Sequence, residues 1–284
     1  MKTFFVITNS DKDPDGSVSR RIERYLADRG CSCVIRYADE KKEGSFHYTD
    51  PALVPDNTDC ILVLGGDGTL LQAARDVSRL QIPLLGINLG TLGFLAGVDR
   101  QSIDAALDKL ISDQYEIEER MMLHGIVYRG DQVAGEDIAL NDIVISREGP
   151  LRVVEFLNYV NGEYLNSYHA DGMILSTPTG STGYSLSVGG PLVSPASRMT
   201  IMSPIAPHTL NVRSIVFSSE DVITVEIGSG RHHETEKTVA FFDGDTMIPM
   251  VTGDRILVKK AERTTKILKL QHQSFVEVLR KKMQ

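Results

Sequence analysis

The sequence predicts an α/β N-terminal domain with a Rossmann-like parallel sheet, followed by an all-β C-terminal domain folded as an antiparallel β-sandwich. Strand and helix patterns alternate up to about residue 115, which is the signature of parallel βαβ units. From about residue 120, short β-rich runs separated by Gly, Asn and Asp replace that alternation. We therefore expect two domains, at 1–118 and 119–269, with a C-terminal helix in 270–284 that joins the first domain.

Apolar runs and their stop signals define the N-terminal elements. Runs at 4–8, 33–37, 61–64 and 83–87 predict strands. Apolar residues recur on one face of 17–29 and of 69–80, which predicts two helices, and Gly30 ends the first of them. The segment 40–57 is polar and predicts a loop.

The C-terminal half contains short β-rich runs with almost no helical periodicity apart from 181–190. The last segment, 274–282, places apolar residues at helical spacing and predicts the terminal helix. The predicted strands of this half are 122–129, 138–146, 152–160, 172–176, 213–217, 221–227, 238–242 and 255–260.

Charge and composition exclude several classes of protein. A net charge of −8 and a pI near 5.4 oppose binding to nucleic acid or to an anionic membrane, because such binders need a basic face. No apolar run approaches membrane-spanning length, and the apolar start is too short for a signal peptide. The three cysteines show no Cys-x-x-Cys spacing, which is typical of free thiols in a reducing compartment. We expect a cytoplasmic protein.

Residues 65–69, Gly-Gly-Asp-Gly-Thr, form the most informative motif. The motif follows a buried strand and precedes a helix, so Asp67 lies at the carboxyl end of the sheet, where open α/β sheets bind ligands. Neither a P-loop nor the Gly-x-Gly-x-x-Gly spacing is present. Glycines on both sides let a substrate approach the backbone, so Asp67 can accept a proton from a hydroxyl or ligate Mg²⁺. The structural alternative is an aspartate that caps the following helix.

A second motif, residues 176–190, is rich in small hydroxyls and follows an apolar strand. Seven of its fifteen residues are Ser or Thr and four are Gly. Such a segment suits a wall that hydrogen-bonds sugar hydroxyls and phosphates, although it can also be an ordinary Ser/Gly loop. Tyr184 in this segment can stack on a base or simply pack.

Other polar residues give weaker signals. Asn141, Asp142 and Asp171 stand beside predicted strands, where turn and bulge roles are common. His208 and Arg213 flank a proline-bracketed segment and can present two cationic groups to phosphate. His232 and His233 match no metal site by spacing, so we expect no metal ligand set from the protein itself.

Taken together, these segments resemble the NAD kinase family, which uses ATP or polyphosphate. Gly-Gly-Asp-Gly alone is shared with lipid kinases and phosphofructokinases, whereas the Thr-Pro-Thr-Gly-Ser-Thr run is far more specific. The matching segments are 65–69, Asn-Leu-Gly-Thr-Leu-Gly-Phe at 88–94, Leu-Asn-Asp-Ile at 140–143, Asp-Gly at 171–172, Thr-Pro-Thr-Gly-Ser-Thr at 177–182, Tyr-Ser-Leu-Ser at 184–187, Gly-Gly-Pro at 189–191, and Ile-Ala-Pro-His at 205–208 leading to Arg213.

The resemblance implies a kinase that transfers the γ-phosphoryl group of ATP to the 2′-hydroxyl of the adenosine ribose of NAD, giving NADP. It implies Mg²⁺ with the donor, a cleft between the domains, and a homodimer or homotetramer in which a neighbour completes the NAD site. Asp67 becomes the proton acceptor and Gly68 a backbone contact. The other implied NAD contacts are Asn141, Asp142, Arg152, His169, Asp171, Thr182, Gly183, Tyr184, Ser185, Leu186 and Ser187, with His208 and Arg213 as phosphate contacts.

Two departures from the family pattern stand out, and other functions stay open. Gly183 stands where the family usually has alanine, and Asp245 stands where it often has an amide. A lipid or sugar kinase with the same glycine motif, a non-catalytic NAD(P)-binding sensor and a bare β-sandwich interaction module are the alternatives. The hydroxyl-rich segment fits a nucleotide better than an acyl chain.

Overall fold

A computed structural model describes residues 1–37, 48–90, 93–149, 153–209, 212–229, 234–270 and 275–282. The chain forms two compact units, Met1–Arg120 with Arg263–Gln284, and Met121–Glu262. None of the helices in the described ranges is long and apolar enough to cross a membrane.

The first unit is built from alternating strands and helices. Its strands are β1 (Thr3–Thr8), β2 (Ser32–Tyr37), β3 (Cys60–Gly65), β4 (Leu84–Asn88) and β5 (Val98–Asp99), and its helices are α1 (Ser17–Ala27), α2 (Asp67–Asp76) and α3 (Ile103–Ile111). Short 3₁₀ turns occupy Pro51–Leu53, Ser78–Leu80 and Arg100–Ser102. The order β2-β1-β3-β4 is parallel, so the carboxyl ends of β1, β3 and β4 meet at one edge.

Both faces of this parallel sheet are buried, as its continuous apolar strands require. One face packs with α1 and α3, through Val6, Ile22 and Leu107 among others. The other packs with α2, through Phe5, Val63 and Leu70. The predicted helix at 69–80 begins earlier than expected, because Asp67 itself is its first residue, and ends at Asp76 before a 3₁₀ turn.

The second unit contains antiparallel strands. Its elements are β6 (Glu116–Arg129), β7 (Gln132–Ala139), β8 (Asp142–Arg147), β9 (Val154–Val160), β10 (Glu163–Ala170), β11 (Gly172–Ser176), α4 (Tyr184–Ser187), β12 (Met199–Ile205), β13 (Ile215–Ser218), β14 (Ile223–Ile227), β15 (Lys237–Phe242), β16 (Thr246–Val251) and β17 (Arg255–Lys269). Strands β6 and β17 each extend beyond this unit, and Ile267 of β17 pairs with Leu84 of β4.

Two layers of strands enclose the core of the second unit. One has the order β13-β12-β11-β8-β15-β16, and the other contains β10-β9-β14-β17 with β6 and β7. Phe156, Val225 and Ile256 of one layer share a core with Met173, Ala240 and Phe242 of the other. The predicted fold class, a parallel α/β sheet plus an antiparallel β-sandwich, is confirmed.

Three strands of this unit, β10, β12 and β16, were not predicted, and one predicted strand divides in two. Pro204 in β12 and Pro249 in β16 argue against strands by sequence. Pro204 lies beyond the stretch of β12 that pairs with β13, and Pro249 lies on the edge strand β16. Among the described strands, each proline therefore has a side without a paired strand, where its missing N–H leaves no hydrogen bond unmade. The predicted run 138–146 breaks at Leu140 and Asn141 into β7 and β8. The terminal helix is α5 (Phe275–Lys282).

Candidate functional site

Asp67 lies where β3 passes into α2, at the carboxyl edge of the parallel sheet. Its carboxylate makes no capping hydrogen bond to α2, whose N-cap is Gly66. Instead, Oδ2 accepts a hydrogen bond from the Phe94 N–H at 2.7 Å, and Oδ1 accepts from the N–H groups of Leu95 and Ala96 at 3.2 and 3.1 Å. The capping alternative is therefore not what this chain uses, because another loop holds the half-buried acid.

Gly93 allows the Asp67 carboxylate to lie against this loop. A Cβ at residue 93 would come within 1.9 Å of Asp67 Oδ1, a distance that no side chain tolerates. Asn88 shapes the start of the same loop, since its side-chain oxygen accepts from the Gly90 N–H at 3.0 Å and its amide donates to the Gly90 carbonyl at 3.1 Å. Gly93 and the N–H groups of residues 94–96 thus orient Asp67, and residues 91 and 92 of the motif lie outside the described residues.

The glycines around Asp67 serve two different purposes. A Cβ at Gly65 would lie 2.3 Å from Thr69 Oγ1, so this glycine makes room for the buried threonine. Side chains at Gly66 and Gly68 would meet open space. Their backbones are therefore accessible to a ligand from outside, which is the arrangement expected of a close substrate contact.

In the second unit, Asn141 precedes β8 and Asp142 is its first residue, and the pair is held from two sides. The Asp243 carboxylate accepts from the N–H groups of Leu140, Asn141 and Asp142 at 2.8, 2.7 and 3.1 Å. Thr177 donates its hydroxyl to the Leu140 carbonyl at 2.6 Å and its N–H to the Asn141 carbonyl at 2.8 Å. Both the backbone N–H groups and the backbone carbonyl groups of this segment are therefore restrained.

The environment of Asp142 favours its neutral form. The residue is 7% exposed, and burial together with the nearby negative charge of Asp243 raises the pKa of Asp142 to about 7. A carboxyl group with such a pKa can either accept or donate a hydrogen bond near neutral pH. Perturbed acids of this kind are enriched at functional sites.

The hydroxyl-rich segment, residues 176–190, contains buried side chains that bond to the backbone and other residues that are exposed. Thr177 and Ser181 are buried and bond to the backbone: the Ser181 hydroxyl donates to the Pro178 carbonyl at 2.7 Å and accepts from the Val193 N–H at 3.1 Å. Ser185 is also buried, beneath Gly190, where a Cβ would lie 2.3 Å from its Oγ. Thr182 and Gly183 are half-buried, and the exposed members are Tyr184, Leu186, Ser187 and Gly189.

A third group of polar residues lies at the ends of β8, β10 and β12. Arg147 Nε donates to Asp171 Oδ1 at 2.8 Å, an ion pair that sequence reasoning missed because the two residues meet only through strand pairing. The His208 N–H donates to the His169 carbonyl at 2.8 Å, and both residues are exposed. Arg213 is exposed and bonds the Val212 carbonyl at 3.1 Å.

Several residues named from the sequence, of which Arg152 is a predicted site residue, lie outside this geometry. Arg152 lies outside the described residues, as do His232 and His233. Asp245 is 8% exposed and closes a turn through its N–H to the Phe242 carbonyl at 3.0 Å. Among the residues that the structure describes, no three His, Cys, Asp or Glu side chains converge as a metal site.

The sequence matches two family models that together cover most of the chain. The ATP-NAD kinase N-terminal domain matches residues 4–115, and the ATP-NAD kinase C-terminal domain matches residues 140–270. The chain belongs to the ATP-NAD kinase family. The resemblance inferred from the sequence motifs is thereby confirmed.

Relatives and solved structures agree with this membership. The NAD kinase of Lachnospira eligens is 48% identical over 295 residues, covering all of both chains, and that of Agathobacter rectalis is 45% identical over 285 residues, covering 100% of this chain and 99% of the other. Yeast NADH kinase complexed with NADH superposes with a TM-score of 0.82 at 26% identity, over 99% of this chain and 87% of that one. An Archaeoglobus fulgidus NAD kinase in complex with ATP has a TM-score of 0.78 at 24% identity, over 98% of both chains, and supports the fold alone.

The geometry of the site reveals the roles of three residues that sequence reasoning missed: Gly93, Arg147 and Asp243. Gly93 stood in a recognised motif, but only the 1.9 Å approach of Asp67 reveals its role. Asp243 belongs to an Asp-Gly turn signal between two apolar runs, which predicts a hairpin and not a contact with residues 140–142.

Proposed function

We propose that this chain is an NAD kinase, which transfers the γ-phosphoryl group of ATP to the 2′-hydroxyl of the adenosine ribose of NAD and releases NADP. The observation that carries this proposal is the Asp67 carboxylate, oriented by three backbone N–H donors beside glycines that face open space. Relatives named NAD kinase at up to 48% identity over the full length support the choice of substrate. No described feature favours an acyl or sugar acceptor.

Asp67 accepts the proton of the attacking hydroxyl in this proposal, and Oδ2 is the reacting atom. A carboxylate offers about four lone pairs. Among the described residues, Oδ1 accepts two N–H groups and Oδ2 accepts one, so Oδ2 keeps capacity for a hydroxyl. Because phosphoryl transfer depends mainly on positioning and charge neutralisation, an acid whose orientation is already set is suited to align the 2′-hydroxyl.

The second unit supplies the NAD contacts in this proposal. Asn141 and Asp142 bind ribose hydroxyls or base edges with their side chains, and Tyr184, which is 46% exposed, offers an aromatic face. Ser185 contributes to the shape of the loop, since its side chain is buried. Gly68 is the proposed contact from the first unit. The remaining proposed contacts of the second unit are Arg152, His169, Asp171, Thr182, Gly183, Leu186 and Ser187, with His208 and Arg213 toward phosphate.

We assign ATP as the donor and Mg²⁺ to the nucleotide. Among the described residues, no three acidic or histidine side chains cluster, and in this proposal the phosphates of the nucleotide hold the metal. Magnesium commonly binds substrate phosphates and keeps several waters, which is consistent with its arrival as Mg–ATP. The predicted domains, 1–118 with 270–284 and 119–269, then carry nucleotide binding and NAD binding respectively.

The compartment and the oligomeric state complete the proposal. Cys31, Cys33 and Cys60 are free thiols. Burial raises the pKa of Cys33 to about 12, so this thiol stays protonated and unreactive. These features suit a cytoplasmic protein, and we expect a homodimer or homotetramer without nucleic-acid or membrane partners.

The test incubates purified protein with ATP, Mg²⁺ and NAD and measures NADP with a coupled NADP-specific dehydrogenase. We expect NADP to accumulate in proportion to enzyme, and NADH and polyphosphate serve as alternative acceptor and donor. Phosphorylation of a lipid or a sugar without NADP would favour the related kinases instead. Binding of NAD without turnover would favour a sensor.

A further inference from the structure

Asp243 occupies a tight turn whose geometry is unusually constrained. It follows β15 and precedes β16, and the Phe242 carbonyl accepts the Asp245 N–H at 3.0 Å across the turn. Asp243 and Gly244 have φ angles of +52° and +70°, left-handed backbone conformations that Asp and Gly adopt more readily than most residues. The Asp243 side chain therefore extends from a hydrogen-bonded turn between two paired strands.

The carboxylate of Asp243 holds three consecutive N–H groups, of Leu140, Asn141 and Asp142, at 2.7–3.1 Å. The Asp243 N–H returns a bond to the Asp142 carbonyl at 3.0 Å. Consecutive amides that point the same way cannot all join a strand ladder, whereas two carboxylate oxygens can accept them together. The turn and the Asn141–Asp142 segment therefore form one hydrogen-bonded unit.

We propose that Asp243 is a positioning residue for NAD binding, which holds the Asn141–Asp142 backbone in the orientation that presents both side chains to the nucleotide. This inference rests on the proposed function, which assigns those two side chains to NAD. Asp243 acts through the backbone, and Thr177 restrains the carbonyl side of the same peptides.

The negative charge of Asp243 also affects the titration of Asp142, which gives the proposal a second measurable consequence. Among the charged groups that the structure describes, Asp243 is the one whose charge bears on Asp142, and together with burial it raises the pKa of that acid. A change from carboxylate to amide at residue 243 therefore alters the titration of Asp142 as well as its placement. Removing a buried carboxylate whose charge does not bear on Asp142 would leave that titration unchanged.

The decisive variant is Asp243→Asn, because asparagine tolerates positive φ but offers one acceptor oxygen in place of two. We expect the KM and Kd for NAD to rise about 10- to 100-fold, as the loss of bonds to a charged acceptor implies, while the KM for ATP stays constant. The inflection in the pH dependence of the KM for NAD should move to lower pH. Steady-state kinetics and calorimetric titration with NAD measure these quantities.

Asp254→Asn is the matched control. Asp254 is also a buried turn carboxylate of the same unit, where it accepts from the Val251 N–H at 2.9 Å and pairs with Arg129. We expect a lower Tm with the wild-type KM for NAD and the wild-type pH inflection. An equal rise in KM in this control, or wild-type values for both quantities in Asp243→Asn, would overturn the proposal.

Two further outcomes keep the inference testable. If Asp243→Asn does not fold, Thr177→Val removes the hydroxyl that restrains Leu140, and an unchanged Kd for NAD in that variant would also overturn the proposal. If the wild type binds NAD but makes no NADP, the proposed kinase fails while Asp243 is still judged by the Kd. A wild type that binds no NAD overturns both.

Discussion

Each unit contains an aspartate that accepts three consecutive backbone N–H groups, and the roles proposed for the two aspartates are opposite. In the first unit, the loop 94–96 holds Asp67, and the acid is the group proposed to react. In the second unit, Asp243 holds residues 140–142, and the loop carries the side chains proposed to bind. The same hydrogen-bond pattern can therefore orient a carboxylate, or allow a carboxylate to orient a backbone segment. The residues beside the pattern distinguish the two cases.

The largest effect is expected at Asp67. Asp67→Asn should lower kcat by roughly 10²–10⁴-fold, the usual contribution of a general base, while the Kd for NAD stays near that of the wild type. An amide in this position also presents N–H groups toward the donors of 94–96, so a Tm measurement must accompany the kinetics. Wild-type turnover in this variant would remove Asp67 from the reaction.

Gly93 tests whether the loop truly orients the acid. In Gly93→Ala the new Cβ displaces the Asp67 carboxylate, which it would otherwise approach to 1.9 Å, so kcat should fall by about 10²-fold as for a misplacement of about 1 Å. Gly97→Ala is the control, because a Cβ there meets open space. Equal activity of the two alanine variants would show that this loop does not govern Asp67.

The pH dependence of the free energy of unfolding tests whether folding raises the pKa of Asp142 in the second unit. Its pKa is raised from 3.8 to about 7 on folding, so the folded state binds more protons between these values. The contribution of Asp142 to stability is therefore complete below pH 4 and is lost as the pH rises through 7, at up to about 1.4 kcal/mol per pH unit.

Asp142→Asn should flatten this dependence, as urea unfolding at pH 5, 6, 7 and 8 will measure. The free energy of unfolding should fall less between pH 5 and pH 8 in the variant than in the wild type. Identical slopes for the two proteins would mean that the pKa of Asp142 is not raised by folding.

The smallest effect is expected at Gly183, beside the same pair. In Gly183→Ala the Cβ would lie 3.3 Å from the Gly180 carbonyl oxygen and 3.8 Å from Asp142 Oδ2, so it fits with a slight adjustment. The gain from a less flexible unfolded chain offsets that contact, and the free energy of unfolding should stay within about 1 kcal/mol of the wild type. A large rise in the KM for NAD would show that the space at Gly183 is itself part of the site.

The sequence was most informative where the relevant contacts are local. Asp67 stands between an apolar strand and an amphipathic helix, so its place at the edge of the sheet follows from residues within one βαβ unit. The alternation of strand and helix patterns and the later β-rich runs predicted the fold class, and the family motifs predicted the family. The hydroxyl-rich segment was predicted less well, because composition does not distinguish the buried Ser181 from the exposed Ser187.

Contacts between distant residues were beyond prediction. Nothing in the turn at 242–245 indicates a partner about a hundred residues earlier, and the pair Arg147–Asp171 requires the register of β8 with β11. Strands β12 and β16 were missed because each contains a proline. The proline is tolerated because of the strand's pairing and its place in the sheet, which a sequence does not show.

The sequence separations of the two hydrogen-bonded clusters have a consequence for how the protein matures. The bonds to Asp67 join residues 27–29 apart, whereas those from Asp243 join residues 101–103 apart. Because closing long loops delays folding, the acid of the first unit can be oriented early, while the Asn141–Asp142 pair must await the last strands of the sandwich. A chain interrupted before residue 243 would lack the restraint on its proposed dinucleotide contacts, so recognition of the dinucleotide depends on completion of the second unit.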